Sequence, residues 1–229
     1  MAGNMTKQEW LSSTRVGPML KHLRGKKIAS ERKLRLFACG CCRRVWDSLR
    51  RRSQAAVEIT ERFVDGEAEE AEFVVSKKYV QSEWEYASHG GGAWAAGAEA
   101  AYSAMALDVW LGAKEAAEQA ALAAFFQAEE DRRVLAAERR AQADLLRCIF
   151  GPGPPRRIAL NRSWLAGADG AVVQVAEGIY AEDAFERLPI LADALEEAGC
   201  TSKPLLEHCR QPASHARGCW AVDLLLAKE

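Results

Sequence analysis

The apolar residues of this chain recur at spacings of 3, 4 and 7 rather than 2, and the residues between them are predominantly helix formers. That periodicity narrows the fold to packed helices. Ser30, followed by Glu31 and Lys33, has the chemistry of a helix start. Beyond it Leu34, Phe37, Ala38, Cys41, Val45, Trp46 and Leu49 trace one apolar stripe, which predicts a helix through Lys33 to Leu49. A second helix is expected from Ser53 through Val57, Thr60, Glu61 and Val64, with Gly66 as its stop. The stretches 69–88 and 93–150 are rich in Ala, Glu, Arg and Gln and read as long helices.

Glycine and proline divide these runs. Gly90, Gly91 and Gly92 must interrupt the helix, since each costs about 1 kcal/mol relative to alanine in a helix interior. If 109–150 were one helix it would extend about 60 Å at 1.5 Å per residue, longer than a compact domain needs, so a break near Glu129 to Arg133 is expected. The alanines of 93–143 would let two backbones approach closely, with Trp94, Trp110, Phe125 and Phe126 as bulky anchors, giving an antiparallel helical hairpin. Gly151-Pro152-Gly153-Pro154-Pro155 cannot continue a helix and marks a boundary. The expectation is therefore an all-α multi-helix bundle over 1–150 and a smaller C-terminal helical unit over 151–229. In the latter, an extended connection over 158–165 precedes helices at 171–179, 185–198, 203–208 and 219–227.

A hydrophobic fraction of 49% with seven Trp and seven Phe supports a packed core. The seven cysteines are odd in number, and Cys41 and Cys42 are adjacent, so a complete disulfide framework fits poorly and a reducing, cytoplasmic setting is expected. The polar start of the chain does not read as a signal peptide, and no run of apolar residues is long enough for a membrane span.

A net charge of -1 conceals segregation. Residues 15–52 carry thirteen Lys/Arg against Glu31 and Asp47, and residues 53–100 carry ten acids against Arg62, Lys77 and Lys78. The two segments would neutralise one another as packed helices. Alternatively Arg43, Arg44, Arg50, Arg51 and Arg52 form the centre of a nucleic-acid-binding face.

The strings MTKQEW with GPMLKHLRGK, KLRLFACGCCRRVW, RLPILADALEEAGC and HCRQPASHARGCWAVDLLLAKE (5–10 with 17–26, 33–46, 187–200 and 208–229) resemble a multi-copy family of uncharacterised bacterial proteins. The similarity covers both ends of the chain. It implies a bacterial cytoplasmic protein with an autonomous fold and implies no activity.

The tail holds the densest set of chemically active side chains. Cys200, Cys209, His215 and Cys219 follow the order C-x8-C-x5-H-x3-C, with the last two ligand types exchanged relative to a C-x8-C-x5-C-x3-H class of zinc finger. His208 competes as a ligand. The alternative is that the cysteines are small core residues and that His215 bonds loop carbonyls. The cofactor expectation is thus none, or one structural zinc.

Other motifs are weaker. His89 with the three glycines spells HGGG, but no G-x-S-x-G elbow exists, and the glycine loop at 151–153 lacks the residues of a phosphate-binding loop. Cys219, His215 and Asp223 contain the residue types of a thiol enzyme. Cys39, Cys41 and Cys42 read as core packing. The 191–210 segment resembles a helix-turn-helix, but its second helix offers only Lys203 and Arg210 as cations and contains Pro204. The functional expectation is a non-catalytic helical interaction or adaptor module with a protein partner. The alternatives are a nucleic-acid-binding accessory subunit and a cysteine-dependent enzyme.

Overall fold

The computed structural model describes residues 5–153, 160–166, 170–212 and 215–228, and these contain thirteen α-helices and no strand. The all-α expectation holds. In chain order the helices are α1 (Lys7–Ser12), α2 (Val16–Lys26), α3 (Glu31–Arg43), α4 (Arg51–Val64), α5 (Glu70–Ser88), α6 (Gly92–Ala104) and α7 (Val109–Gln127). They continue with α8 (Arg132–Phe150), α9 (Ser163–Ala166), α10 (Ala171–Ala181), α11 (Leu188–Glu197), α12 (Lys203–Arg210) and α13 (Trp220–Leu226). Short 3-10 turns occupy Trp46–Ser48 and Phe185–Arg187. No described helix is long and apolar enough to cross a membrane.

Local chemistry accounts for most of the boundaries. Ser30 accepts from the Lys33 amide at the start of α3, as its sequence suggested. Thr6 and Glu9 complete a capping box on α1, an element the sequence reading left unassigned. The break between α7 and α8 falls at 128–131, where Glu129 and Glu130 adopt left-handed φ values of 53° and 65° and Asp131 caps α8. One further break was not anticipated. Asp108 accepts from the Trp110 and Leu111 amides, so the alanine-rich segment becomes three helices, α6 to α8, rather than a simple hairpin. Close approach there is visible at Gly112, where a Cβ would lie 2.4 Å from the Ser103 carbonyl oxygen. The helix predicted through Leu49 ends instead at Arg43 and passes into the 3-10 turn. Of the connection expected at 158–165, residues 158–159 lie outside the described residues, and 163–166 form a helical turn.

The buried apolar side chains form two clusters. One gathers Met19, Leu23, Leu34, Phe37, Met105, Leu146 and Ile149 around the alanines of α6 and α7. The other gathers Ile179, Leu188, Leu191, Leu195, Leu205, Val222 and Leu225, and it includes Cys148 from the end of α8. The Trp10 indole N–H donates to the Gly151 carbonyl at 3.0 Å, and Arg147 donates to the carbonyls of Trp10 and Ser13. Those bonds tie α1 to the end of α8.

A buried ionic network links the N-terminal helices to the C-terminal ones. Asp65, whose side chain is 0% exposed, receives Arg32 at 2.8 Å, Arg217 at 3.0 Å and the Tyr180 hydroxyl at 2.5 Å. Arg32 also donates to Asp223 at 2.8 Å and to the Tyr180 oxygen at 2.7 Å. Burial opposes ionisation of Asp65, but the bonds from Tyr180, Arg32 and Arg217 outweigh it and hold the carboxyl below its ordinary range.

Candidate metal centre

Four soft-ligand side chains converge where α8 meets the C-terminal helices. Cys148 sits in the last turns of α8, on the face that also buries Leu145 and Ile149. His208 is in the last turn of α12, a helix that admits Pro204 because its first turn needs no internal N–H bond. His215 lies in the connection that follows, of which 213–214 lie outside the described residues, and Cys219 is the N-cap of α13. The backbone reaches Cys219 through Gly218 at φ 87°, where a Cβ would also come within 3.0 Å of Leu36, so glycine is required twice over.

One ligand atom from each of Cys148, His208, His215 and Cys219 lies within 4.8 Å of the others. Tetrahedral zinc, with bonds of about 2.0 to 2.3 Å, needs ligand atoms about 3.3 to 3.8 Å apart. The His215 Nδ1 to Cys148 Sγ distance is 3.4 Å and the His208 Nε2 to Cys219 Sγ distance is 3.2 Å. The quartet could therefore hold a metal ion with little rearrangement. The His215 Nε2 is 3.1 Å from the Gln211 carbonyl, which fixes Nε2 as the protonated nitrogen and leaves Nδ1 as the ligand atom. The two imidazoles stand edge to face at 4.8 Å, and Trp220 flanks His208 at 5.0 Å. Trp220 thus packs its indole beside one ligand, while both imidazoles stay partly exposed.

The electrostatics also suit a cation. Burial alone would raise the Cys219 thiol, but hydrogen bonds and the charge supplied by Cys148, His208 and His215 overcome it and hold Cys219 well below the usual thiol range. The Cys148 thiol moves the other way, raised first by its bond to Cys219 and then by burial. A lowered Cys219 thiol favours the deprotonated sulfur, the form a metal binds.

The spacing-based set of Cys200, Cys209, His215 and Cys219 shares two members with this quartet. Cys209 is fully buried in the C-terminal core and its thiol is raised chiefly by burial; Cys200 is 5% exposed and likewise raised. Positions 208 and 209 differ by about 100° around α12, so only one of them can face the cluster, and it is His208. Cys148 is 60 positions before His208, too distant for any ligand-spacing rule to connect.

The remaining candidates are placed as follows. Arg43 pairs with Glu61 at 2.6 Å and Arg44 with Glu138 at 2.9 Å, both carboxylates being buried. Arg32 with Asp65 and Arg43 with Glu61 join the basic segment to the acidic one. Arg50, Arg51 and Arg52 are exposed, Arg50 over the Trp94 ring at 3.4 Å and Arg52 over Tyr79 at 5.7 Å. Cys39, Cys41 and Cys42 are buried, and burial pushes the Cys42 thiol up to about 12. Of the residue types of a thiol enzyme, Asp223 engages Arg32 rather than an imidazole, so His215 gains no orienting carboxylate from it. Gly91 and Gly92 form the positive-φ turn between α5 and α6. Arg210 is drawn back onto Asp193 and Glu196 of α11. No family model matches the chain, and neither the curated proteins nor the solved structures contain a match to it.

Proposed function

We propose that this chain is a non-catalytic helical interaction module in which one structural zinc ion clamps the C-terminal helices to the end of α8. The observation that carries this reading is the quartet itself, with ligands from α8, α12, the following loop and the α13 cap converging within 4.8 Å. A Cys2His2 set is a structural complement for zinc, because four protein ligands leave no open position for water or substrate. Two thiolates in a buried centre favour zinc over the oxygen-preferring divalent ions. A protein partner is favoured by the turn between α6 and α7 and the first turn of α7, where Leu107 is 88% exposed and Leu111 is 52% exposed.

The test is elemental analysis of protein purified without a metal-binding tag, followed by cobalt substitution. One equivalent of zinc is expected, lost in Cys148→Ser and in His208→Ala. The cobalt form should show the intense visible bands of a tetrahedral site with two thiolates, unchanged by added azide or cyanide. Metal-free, fully folded protein would remove the clamp from the proposal, and a spectrum that shifts with azide would reveal an open position and remove the non-catalytic reading.

A further inference from the structure

At the end of the bundle where α4 begins and α5 ends, arginines and exposed aromatic rings are interleaved. On α5, Val75, Tyr79, Ser82 and Tyr86 share one face. Val75 is 49%, Tyr79 56% and Tyr86 73% exposed, which is unusual for side chains that normally seek cover. Tyr79 and Tyr86 are separated by about 10 Å of helix rise. Tyr79 has an arginine over its ring, and Tyr86 reaches one through Trp94. The Arg52 guanidinium lies over the Tyr79 ring at 5.7 Å, and Tyr86 lies 5.7 Å from Trp94, whose own ring carries Arg50 at 3.4 Å. Arg51, between those two arginines, is exposed.

Among the described residues, the ion pairs of the basic segment engage Arg32, Lys33, Arg35, Arg43 and Arg44 and none engages Arg50, Arg51 or Arg52. Glu83 is buried and accepts from Ser53 at 2.6 Å, and Glu85, on the flank of α5, accepts from Gln81 at 2.9 Å. The acid cluster Glu69, Glu70 and Glu72 lies at the opposite end of α5. Arg43 and Arg44, by contrast, are half-buried and held by the buried carboxylates of Glu61 and Glu138.

We infer that the Arg50-Arg51-Arg52, Tyr79, Tyr86 and Trp94 face binds single-stranded nucleic acid, the arginines meeting phosphates and the tyrosine rings stacking with bases. Charge complementarity alone would accept any polyanion. The rings are what select a strand with unpaired bases, because a duplex keeps its base faces stacked inside and an acidic peptide offers none. Stacking and phosphate contacts tolerate any sequence and do not depend on the 2′-hydroxyl, so DNA and RNA strands are separate arms of the test.

The experiment is fluorescence anisotropy with labelled oligo-dT and oligo-rU of twenty nucleotides, titrated with the full-length protein from low to physiological salt. Saturable binding of at least one strand is expected, with affinity falling log-linearly in salt at about 0.7 per phosphate contacted. Arg50→Ala with Arg52→Ala should lower that slope by between one and two. Tyr86→Ala should weaken binding about 5- to 100-fold at fixed salt with little change in slope. Arg139→Ala with Arg140→Ala, which removes exposed charge on α8 where no exposed ring adjoins, should leave affinity within twofold. Circular dichroism confirms that each variant folds. The proposal is overturned by no association at low salt, by equal competition from duplex DNA, from polyglutamate or from anionic phospholipid vesicles, by an undiminished affinity in folded Tyr86→Ala, or by an equal loss in the α8 variant.

Discussion

Replacing Asp65 by Asn keeps the volume of a side chain that is 0% exposed while removing the charge on which two arginines converge. Arg32, 11% exposed, would keep Asp223 at 2.8 Å and the Tyr180 oxygen. Arg217, 15% exposed, would keep the Tyr180 carbonyl at 3.1 Å, the face of the Tyr180 ring at 4.5 Å and a distant Asp183 at 4.0 Å, none of them a close carboxylate, and the new amide would present N–H groups toward guanidinium N–H groups. Removing one partner of a buried ion pair costs about 3 to 5 kcal/mol, and the alternative contacts of Arg32 and Arg217 place this case at about 3 kcal/mol. For a chain of this length that corresponds to a fall in Tm of about 6 to 12 °C. Urea unfolding followed by tryptophan fluorescence and by far-ultraviolet circular dichroism measures it directly.

The pH dependence supplies a second readout of the same substitution. Asp65 is held below its ordinary value in the folded protein, so the stability it contributes is complete above its unfolded-state value of about 4 and is lost as pH falls through the lower folded value. The difference between wild type and Asp65→Asn should therefore be constant from pH 5 to 8 and shrink below about pH 4. Burial raises Asp223 and Glu61, which have the opposite sign, but they are present in both proteins and largely cancel in the difference. A loss below about 1 kcal/mol, or one that does not diminish in acid, would mean that these charges behave like a surface salt bridge, and the argument for a buried network would fail.

Further outcomes follow from the packing. Cys200→Ala and Cys209→Ala should retain one equivalent of zinc by elemental analysis, whereas His215→Ala should lose it, because the quartet includes His215 and neither of those cysteines. Gly218→Ala combines a φ of 87° with a Cβ 3.0 Å from Leu36 and should destabilise by about 2 kcal/mol in chemical denaturation. Gly112→Ala meets the backbone oxygen of Ser103 at 2.4 Å and should cost about 3 kcal/mol by forcing α6 and α7 apart, read as a lower midpoint at unchanged m-value. Cys39, Cys41 and Cys42 are buried and raised, so a thiol reagent should modify them only at the rate of unfolding; fast labelling of the native protein at any of the three would contradict that.

Helix content was legible because it depends on local periodicity, and the stripe from Leu34 to Cys41 is buried as its spacing required. Missed boundaries had local causes that periodicity overlooks. Asp108 and the Thr6 box each act through two side-chain hydrogen bonds to backbone amides, a signal available in the sequence but weaker than apolar periodicity. The Cys/His quartet was half legible. His215 and Cys219 are four residues apart and read as a pair, and His208 was visible beside Cys209, but helical register chose between those two. Cys148 looks like an ordinary apolar-face cysteine of α8 until tertiary packing brings the tail to it.

Because one ligand of the quartet comes from α8 and three from 208–219, a cut anywhere in 151–160 leaves neither piece with a full coordination set. The C-terminal helices, released alone, would hold the metal with three ligands and an open edge. They could not be transplanted onto another protein by duplication or recombination at that proline-rich joint unless the recipient supplied a fourth ligand in register. A metal held by this quartet would make the two halves inherit together.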